Sequence, residues 1–285
     1  MRRNRREKNE AGNQKYIAIA VLLCMVLLIF CSCGKKAAEE EVQEELLPEI
    51  VVGCNDYSPF CYIGTDGEAA GTDISLAKEA FQRMGYRARF RFIDWGERDQ
   101  LLEAGEIDCL WCCFCMDGRE KEYQWAGPYM YTFPIVAVKR SSSITTVEEL
   151  EGKSIAVQAG SKGEEILLCA EENHLPQFKA IFSMQNRELI YSFLRKGYAD
   201  ALVSQEISIL KYIRDYDMEE EIRILDKPLK RAGLGVAFSL HDTRGLAPRL
   251  DETLREMYED GTSEALLRTY LQIPQKYLEV YEDER

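Results

Sequence analysis

Beyond residue 49 the chain alternates short apolar runs with segments of helical period. Residues 50–54 (IVVGC) read as a strand, and residues 73–84 as a helix with Asp73 at its start and Gly85 past its end. Residues 88–92 (ARFRF) alternate with a period of two, the mark of a half-buried strand. A short helix over 97–104 leads into residues 107–116, IDCLWCCFCM, where Asp108 is the one charge. That run predicts a strand buried on both faces in mid-sheet. The βαβαβ succession predicts a mostly parallel sheet flanked by helices. A second set follows, with a strand at 154–158, a helix opening at 160–163 and running to 170, a helix at 186–196, a strand at 199–203 and a helix at 206–216. A strand at 233–238 and helices at 245–259 and 263–271 complete the series. This order predicts two α/β lobes, residues 49–128 with 235–285 and residues 134–230, joined by two hinge crossings at 129–133 and 231–235.

The first 48 residues follow a different pattern. Arg2, Arg3, Arg5, Arg6, Lys8 and Lys15 precede an apolar segment at 17–30 that is short for a bilayer span, so residues 1–32 read as a signal peptide. Cys33 follows the small Ser32, the arrangement at which bacterial lipoproteins are cleaved and lipidated, whereas the bulky Phe30 precedes Cys31. Residues 33–48, rich in Lys, Ala, Glu and Gln, read as a lipidated cysteine and flexible tether. The net charge is −13, and removal of the basic leader makes the remainder more acidic. Such a chain does not bind nucleic acid by counterion release.

Candidate chemistry gathers between Asp108 and Tyr129. The apolar run stops at the turn signal Asp117-Gly118, and Arg119 is the first residue past it, where a parallel strand ends and a crevice opens. A guanidinium is a planar fork that holds a carboxylate by two hydrogen bonds. Gly160-Ser161 forms a second candidate turn, with a glycine that permits close backbone approach and a hydroxyl donor. Of ten cysteines, Cys109, Cys112, Cys113 and Cys115 crowd the central run, with Cys54, Cys61 and Cys169 elsewhere in the folded part. On an extended strand Cys109, Cys113 and Cys115 face one way and Cys112 the other, so they do not converge on one ion. Buried small hydrophobes is the expected role, and neither a metal nor a cofactor is expected. His174 and His241 lie in polar connections, and there is no nucleophile elbow, phosphate loop or Cys-His pair, so an enzyme is not expected.

Five stretches in register resemble the bacterial extracellular solute-binding proteins of family 3, the substrate-binding lipoproteins of polar amino-acid ABC transporters. They are VVGCNDYSPF from Val51, GTDISLA from Gly71, the central run with Arg119, Trp125 and Gly127-Pro128-Tyr129, LEGKSIAVQAGS from Leu150, and GYADALV from Gly197. The resemblance implies a two-lobed, type II periplasmic-binding-protein-like fold. It implies a monomer on the outer face of the cell membrane, anchored by acyl chains such as palmitate at Cys33, that closes on an amino-acid-like ligand and delivers it to permease and ATPase subunits. It assigns Arg119, Gly160 and Ser161 to the ligand's α-carboxylate and an aromatic at Tyr57 to its side chain. The central-strand contact, commonly threonine, falls on Phe114, which leaves its backbone part. The carboxylate that usually meets the α-ammonium falls on Gln205, with Glu206 beside it, and a usual acidic or polar strand end falls on Cys54. The family's sheet order brings Cys54 and Cys112 to neighbouring strand ends, within disulfide reach if oxidised and as two thiols on the pocket floor if reduced. A dehydratase-like enzyme on the same fold and a sensor ectodomain are the alternatives.

Overall fold

The computed structural model describes residues 47–279. The predicted leader, the Cys33 lipidation site and most of the predicted tether lie outside these residues. Strands β1 (Glu49–Cys54), β4 (Arg87–Phe92), β5 (Cys109–Leu110), β6 (Gln124–Thr132) and β12 (Ala232–Phe238) form a first sheet in the order β4-β1-β5-β12-β6. Strands β7 (Pro134–Lys139), β8 (Ser154–Gln158), β9 (Ala180–Met184), β10 (Ala201–Gln205) and β11 (Ile222–Ile224) form a second, β11-β7-β10-β8-β9. A ribbon of β2 (Tyr62–Ile63) and β3 (Ala69–Ala70) stands apart. The strands run mostly parallel, as predicted: four of the five in each sheet point the same way, and one reversed strand per sheet makes two antiparallel pairings. The reversed strands are β12, between β5 and β6, and β7, between β10 and β11, and the period of the flanking segments does not announce their direction.

Both sheets are covered on both faces, which explains their nearly unbroken apolar runs. Helix α1 (Thr72–Arg83) turns Ile74, Ala77 and Phe81 into the first core, where they meet Ile50, Val52, Trp111, Met130 and Val236. Leu250, Leu254 and Met257 of α6 (Leu246–Glu259) join them. The opposite face carries Leu101 and Leu102 of α2 (Arg98–Glu103), with Ile107, Leu110 and Phe114. In the second sheet β7 is almost wholly buried, and its side chains alternate between two clusters. Ile135 and Ala137 pack with Ile190, Tyr191 and Leu194 of α4 (Glu188–Lys196), while Val136 and Val138 pack with Leu167 of α3 (Lys162–Leu168).

The predicted central strand over 107–116 is shorter than expected. Only Cys109–Leu110 is strand; Trp111 still donates its N–H to the Gly53 carbonyl at 3.1 Å, and then Cys113 turns at φ 47°. The cause lies across the core, where the Asp73 carboxylate accepts the Cys113 N–H at 2.7 Å and the Tyr129 hydroxyl at 3.0 Å. A buried acceptor thereby holds a non-glycine residue in a left-handed conformation that is costly on its own. The alternation of cysteine faces expected from an extended strand therefore ends at Cys113.

The chain leaves the first sheet at the end of β6 and enters β7 through Phe133; β12 brings it back, pairing Ala232 with Thr132 and Gly233 with Tyr131. The short helix Gln275–Leu278 packs at this passage, with the Tyr277 ring 6.0 Å from that of Phe133. The Tyr277 hydroxyl and the Lys276 ammonium both donate to the carboxylate of Glu206, at the start of α5 (Glu206–Asp215).

Candidate functional site

One wall of a large cavity grows from the turn after β1. Tyr57 and Cys61 exchange backbone hydrogen bonds of 2.6 and 3.0 Å, closing the turn. Gly71 has φ 127°, and a Cβ there would lie 2.2 Å from the Phe60 carbonyl oxygen, so only glycine lets α1 start against this turn. Thr72 and Asp73 then donate their N–H groups to the Pro59 and Phe60 carbonyls at 2.9 and 3.0 Å. Burial pushes the Asp73 carboxyl up to about 6, against the hydrogen bonds that favour its charge, and pushes the Tyr57 hydroxyl up to about 12.

The same wall carries Arg119. Its turn closes by an N–H bond to the Met116 carbonyl at 2.9 Å, and the Trp125 indole donates to the Arg119 carbonyl at 3.0 Å. The guanidinium lies 5.6 Å from the centre of the Phe114 ring, which is edge-packed or tilted against Trp95, Tyr123 and Trp125. Its Nη2 donates to Glu165 Oε2 at 3.0 Å, and Glu165 comes from α3 of the second lobe.

The opposing wall is built from helix starts. Ser161 Oγ accepts the Glu164 N–H at 3.2 Å and donates to the Gln158 carbonyl at 2.7 Å, while the Glu164 carboxylate accepts the Gly160 N–H at 2.6 Å. This is reciprocal capping of the capping-box kind. Lys162 reaches back across the cleft to the Asp117 carbonyl at 3.1 Å and pairs with Glu165. Arg187, just ahead of α4, lays its guanidinium 3.2 Å from the centre of the Tyr57 ring. Its Nε and Nη2 donate to Gln158 Oε1 at 2.9 and 2.7 Å, and its Nη1 to the Asp56 carbonyl at 3.2 Å. Ser208 of α5 donates to the Ser58 carbonyl at 3.1 Å. The enclosed volume is about 660 Å³, enough for a small polar solute.

The sequence pattern of the bacterial extracellular solute-binding proteins, family 3, matches residues 50–273. The chain belongs to that family. The arginine-binding extracellular protein ArtP of Bacillus subtilis (strain 168) is 23% identical over 266 residues, covering 90% of this chain and 98% of ArtP. A substrate-binding protein of an ABC uptake transporter from Streptococcus pneumoniae, solved with histidine, superposes with a TM-score of 0.72 at 24% identity over 79% of this chain and 92% of that one. An ancestral amino acid-binding protein, described as a precursor of cyclohexadienyl dehydratase, gives 0.68 at 25% identity over 78% and 95%. The type II periplasmic-binding-protein fold with two lobes is the fold of this chain.

In this family 3 protein, seven of the nine expected ligand-site residues meet at one cavity: Arg119, Ser161, Gly160, Tyr57, Phe114, Cys112 and Gln205. Glu206 does not, because its carboxylate is taken by Lys276 and Tyr277 at the passage between lobes. Nor does Cys54, fully buried with its thiol 3.7 Å from the Arg91 carbonyl. The disulfide between Cys54 and Cys112 is not formed: both are free, and the Cys112 thiol points to the Asn55 carbonyl at 3.4 Å. Cys61 lies instead within hydrogen-bond reach of both. The backbone contact left to Phe114 is partly used inside the fold, since its carbonyl accepts the Gly235 N–H at 3.0 Å. Gln205 lines the cavity but accepts the Thr132 hydroxyl at 2.7 Å.

Sequence reasoning missed Arg187, Lys162 and Asn55. Asn55 Oδ1 is buried at the cavity with no hydrogen-bond partner. The available signals were an arginine ahead of a helix and a polar pair after a strand, and neither stands out without its distant partner. Among the described residues no group of three or more His, Cys, Asp and Glu side chains is placed to hold a metal ion, and no helix is long and apolar enough to cross a membrane.

Proposed function

We propose that this protein is the substrate-binding subunit of an ABC importer, closing its two lobes on an amino acid or close analogue and delivering it to permease and ATPase subunits. The observation that carries the reading is the setting of Arg119. Its guanidinium lies over the Phe114 ring at the cavity wall and already donates to a carboxylate, that of Glu165 from the opposite lobe. A ligand carboxylate entering the cleft replaces or joins Glu165 in the fork and draws the walls together by the same contact. Asn55 Oδ1, buried without a hydrogen-bond partner, suits an α-ammonium donor. Family membership and the likeness to amino acid-binding proteins support the same reading.

Catalysis has less support. Neither histidine lines the cavity, and the Cys113 and Cys115 thiols on its wall are pushed up by burial, the latter to about 11, away from nucleophilic thiolate. The protein acts as a monomer, held at the outer membrane face through acyl chains on Cys33 after removal of the signal peptide. Cys33→Ser then releases it from membranes or leaves it uncleaved, and unchanged detergent partitioning would point to Cys31.

The test is calorimetric titration and thermal shift of the mature protein against the common amino acids. A ligand at a hundred times its Kd stabilises by about 2.7 kcal/mol. Arg119→Ala removes binding, since an unpaired carboxylate in a closing cleft costs about 2–5 kcal/mol. Binding that persists undiminished in Arg119→Ala overturns the reading.

A further inference from the structure

We infer that Arg187 makes this a site for ligands bearing a second anionic group, such as acidic amino acids and short dicarboxylates, and sets it against cationic side chains. The inference rests on the proposed reading of the cavity and names the class of solute. Five cationic side chains line the cleft: Arg98, Arg119, Lys162, Arg187 and Lys211. Arg119 and Lys162 share Glu165, Lys211 pairs with Asp215, and Arg98 lies 3.4 Å from Asp99. The hydrogen bonds of Arg187 run to neutral oxygens, the Gln158 amide and the Asp56 backbone carbonyl.

Its position matters as much as its charge. The guanidinium covers the face of Tyr57, so a cationic ligand side chain stacks there only by displacing a like charge. An anionic group approaching from the cavity meets a half-buried guanidinium whose charge is stabilised only by a ring and two dipoles. Gln205 adds no opposing charge, and its Oε1 is occupied by the Thr132 hydroxyl. Of the cavity's own acids, Asp94 accepts the Gly96 N–H and Asp215 holds Lys211; Asp56 and Glu188 are exposed. A ligand bridging Arg119 on one lobe and Arg187 on the other joins the two walls through its own two ends, so the second anion serves closure as well as selection.

The experiment is titration of the mature protein with L-glutamate, L-aspartate, glutarate, L-glutamine, L-arginine and L-histidine, repeated on Arg187→Gln, Arg187→Lys and Arg119→Ala. The expected result is tighter binding of at least one diacid than of glutamine, with arginine and histidine weakest. Arg187→Gln weakens the diacid about thirtyfold or more and leaves glutamine within about threefold, well inside one desolvated charge pair; Arg187→Lys recovers part of the loss. Glutamate and glutarate separate an acidic amino acid from a plain dicarboxylate, and a preference for either supports the inference. Binding that requires Arg119 but favours arginine or histidine, or ignores Arg187→Gln, overturns this inference alone. Binding indifferent to Arg119→Ala overturns the amino-acid reading and this inference with it.

Discussion

The two walls of the cleft are made differently. On the first lobe, Tyr57, Phe114 and Arg119 stand on buried material: a ring cluster, the Asp73 carboxylate and a turn locked against α1. On the second lobe, Gly160, Ser161 and Arg187 stand at helix starts and are held by local hydrogen bonds. Burial fixes position at high energetic cost per defect, whereas capping fixes it cheaply. The difference teaches that a closing site can keep one wall rigid as a reference and let the other come to it.

The largest effect should come from Phe114→Ala. Its ring is buried under Arg119 and beside three other aromatics, so the cavity left behind costs about 3–5 kcal/mol of stability. Denaturant unfolding measures it, and a loss below about 1 kcal/mol would erase the contrast between the walls.

Asp73 offers a pH test of the same wall. The group ionises near pH 4 in the unfolded chain and at about 6 in the folded protein. Between those values the native state binds more protons, so stability declines as pH rises from about 4 to 6, by about 3 kcal/mol in total. Asp73→Asn stays neutral and lacks this decline. A wild-type minus mutant stability curve that is flat across the window refutes the buried-acid description.

The second wall responds more mildly. Ser161→Ala removes one cap and costs about 1 kcal/mol, read by urea midpoint at constant slope; a loss matching that of Phe114→Ala would make the two walls equivalent. The smallest effect belongs to Glu165→Gln. Freeing the Arg119 fork from a half-buried, water-accessible pair removes a competitor for the ligand carboxylate and tightens binding about two- to fivefold, in keeping with the modest strength of pairs that water still reaches. Weaker binding in this variant would mean that Glu165 aids the ligand instead of standing in for it.

The sequence made the alternation of strands and helices legible because period and caps are local. Residues 154–158 are the clearest case: a run of small and branched residues ahead of Gly160-Ser161. Arg119 stood out as an arginine just past a turn signal, but only the five stretches in register with a known family ranked it above a surface arginine. Where local rules failed, a distant partner decided. The run at 107–116 is as buried as predicted, but Asp73 bends it at Cys113. Strand β6 was hidden by Gly127-Pro128; Gly127 takes φ 116° against Gly235 of β12, an accommodation visible only once both strands are in place. Arg187 could not be ranked above any surface arginine until Tyr57 was found beneath it.

The cysteine-rich run has a chemical consequence in time rather than in space. Cys61, Cys109, Cys112, Cys113 and Cys115 are all shifted upward by burial, the last to about 11. Thiol–disulfide exchange proceeds through the thiolate, and a thiol with a pKa of about 11 is ionised about once in ten thousand at neutral pH. Packing thus slows oxidation by scarcity of the reactive form. A family 3 protein can carry this many thiols through an oxidising environment on the protection of its own core, with Cys169, the exposed cysteine among the described residues, reacting before the buried ones.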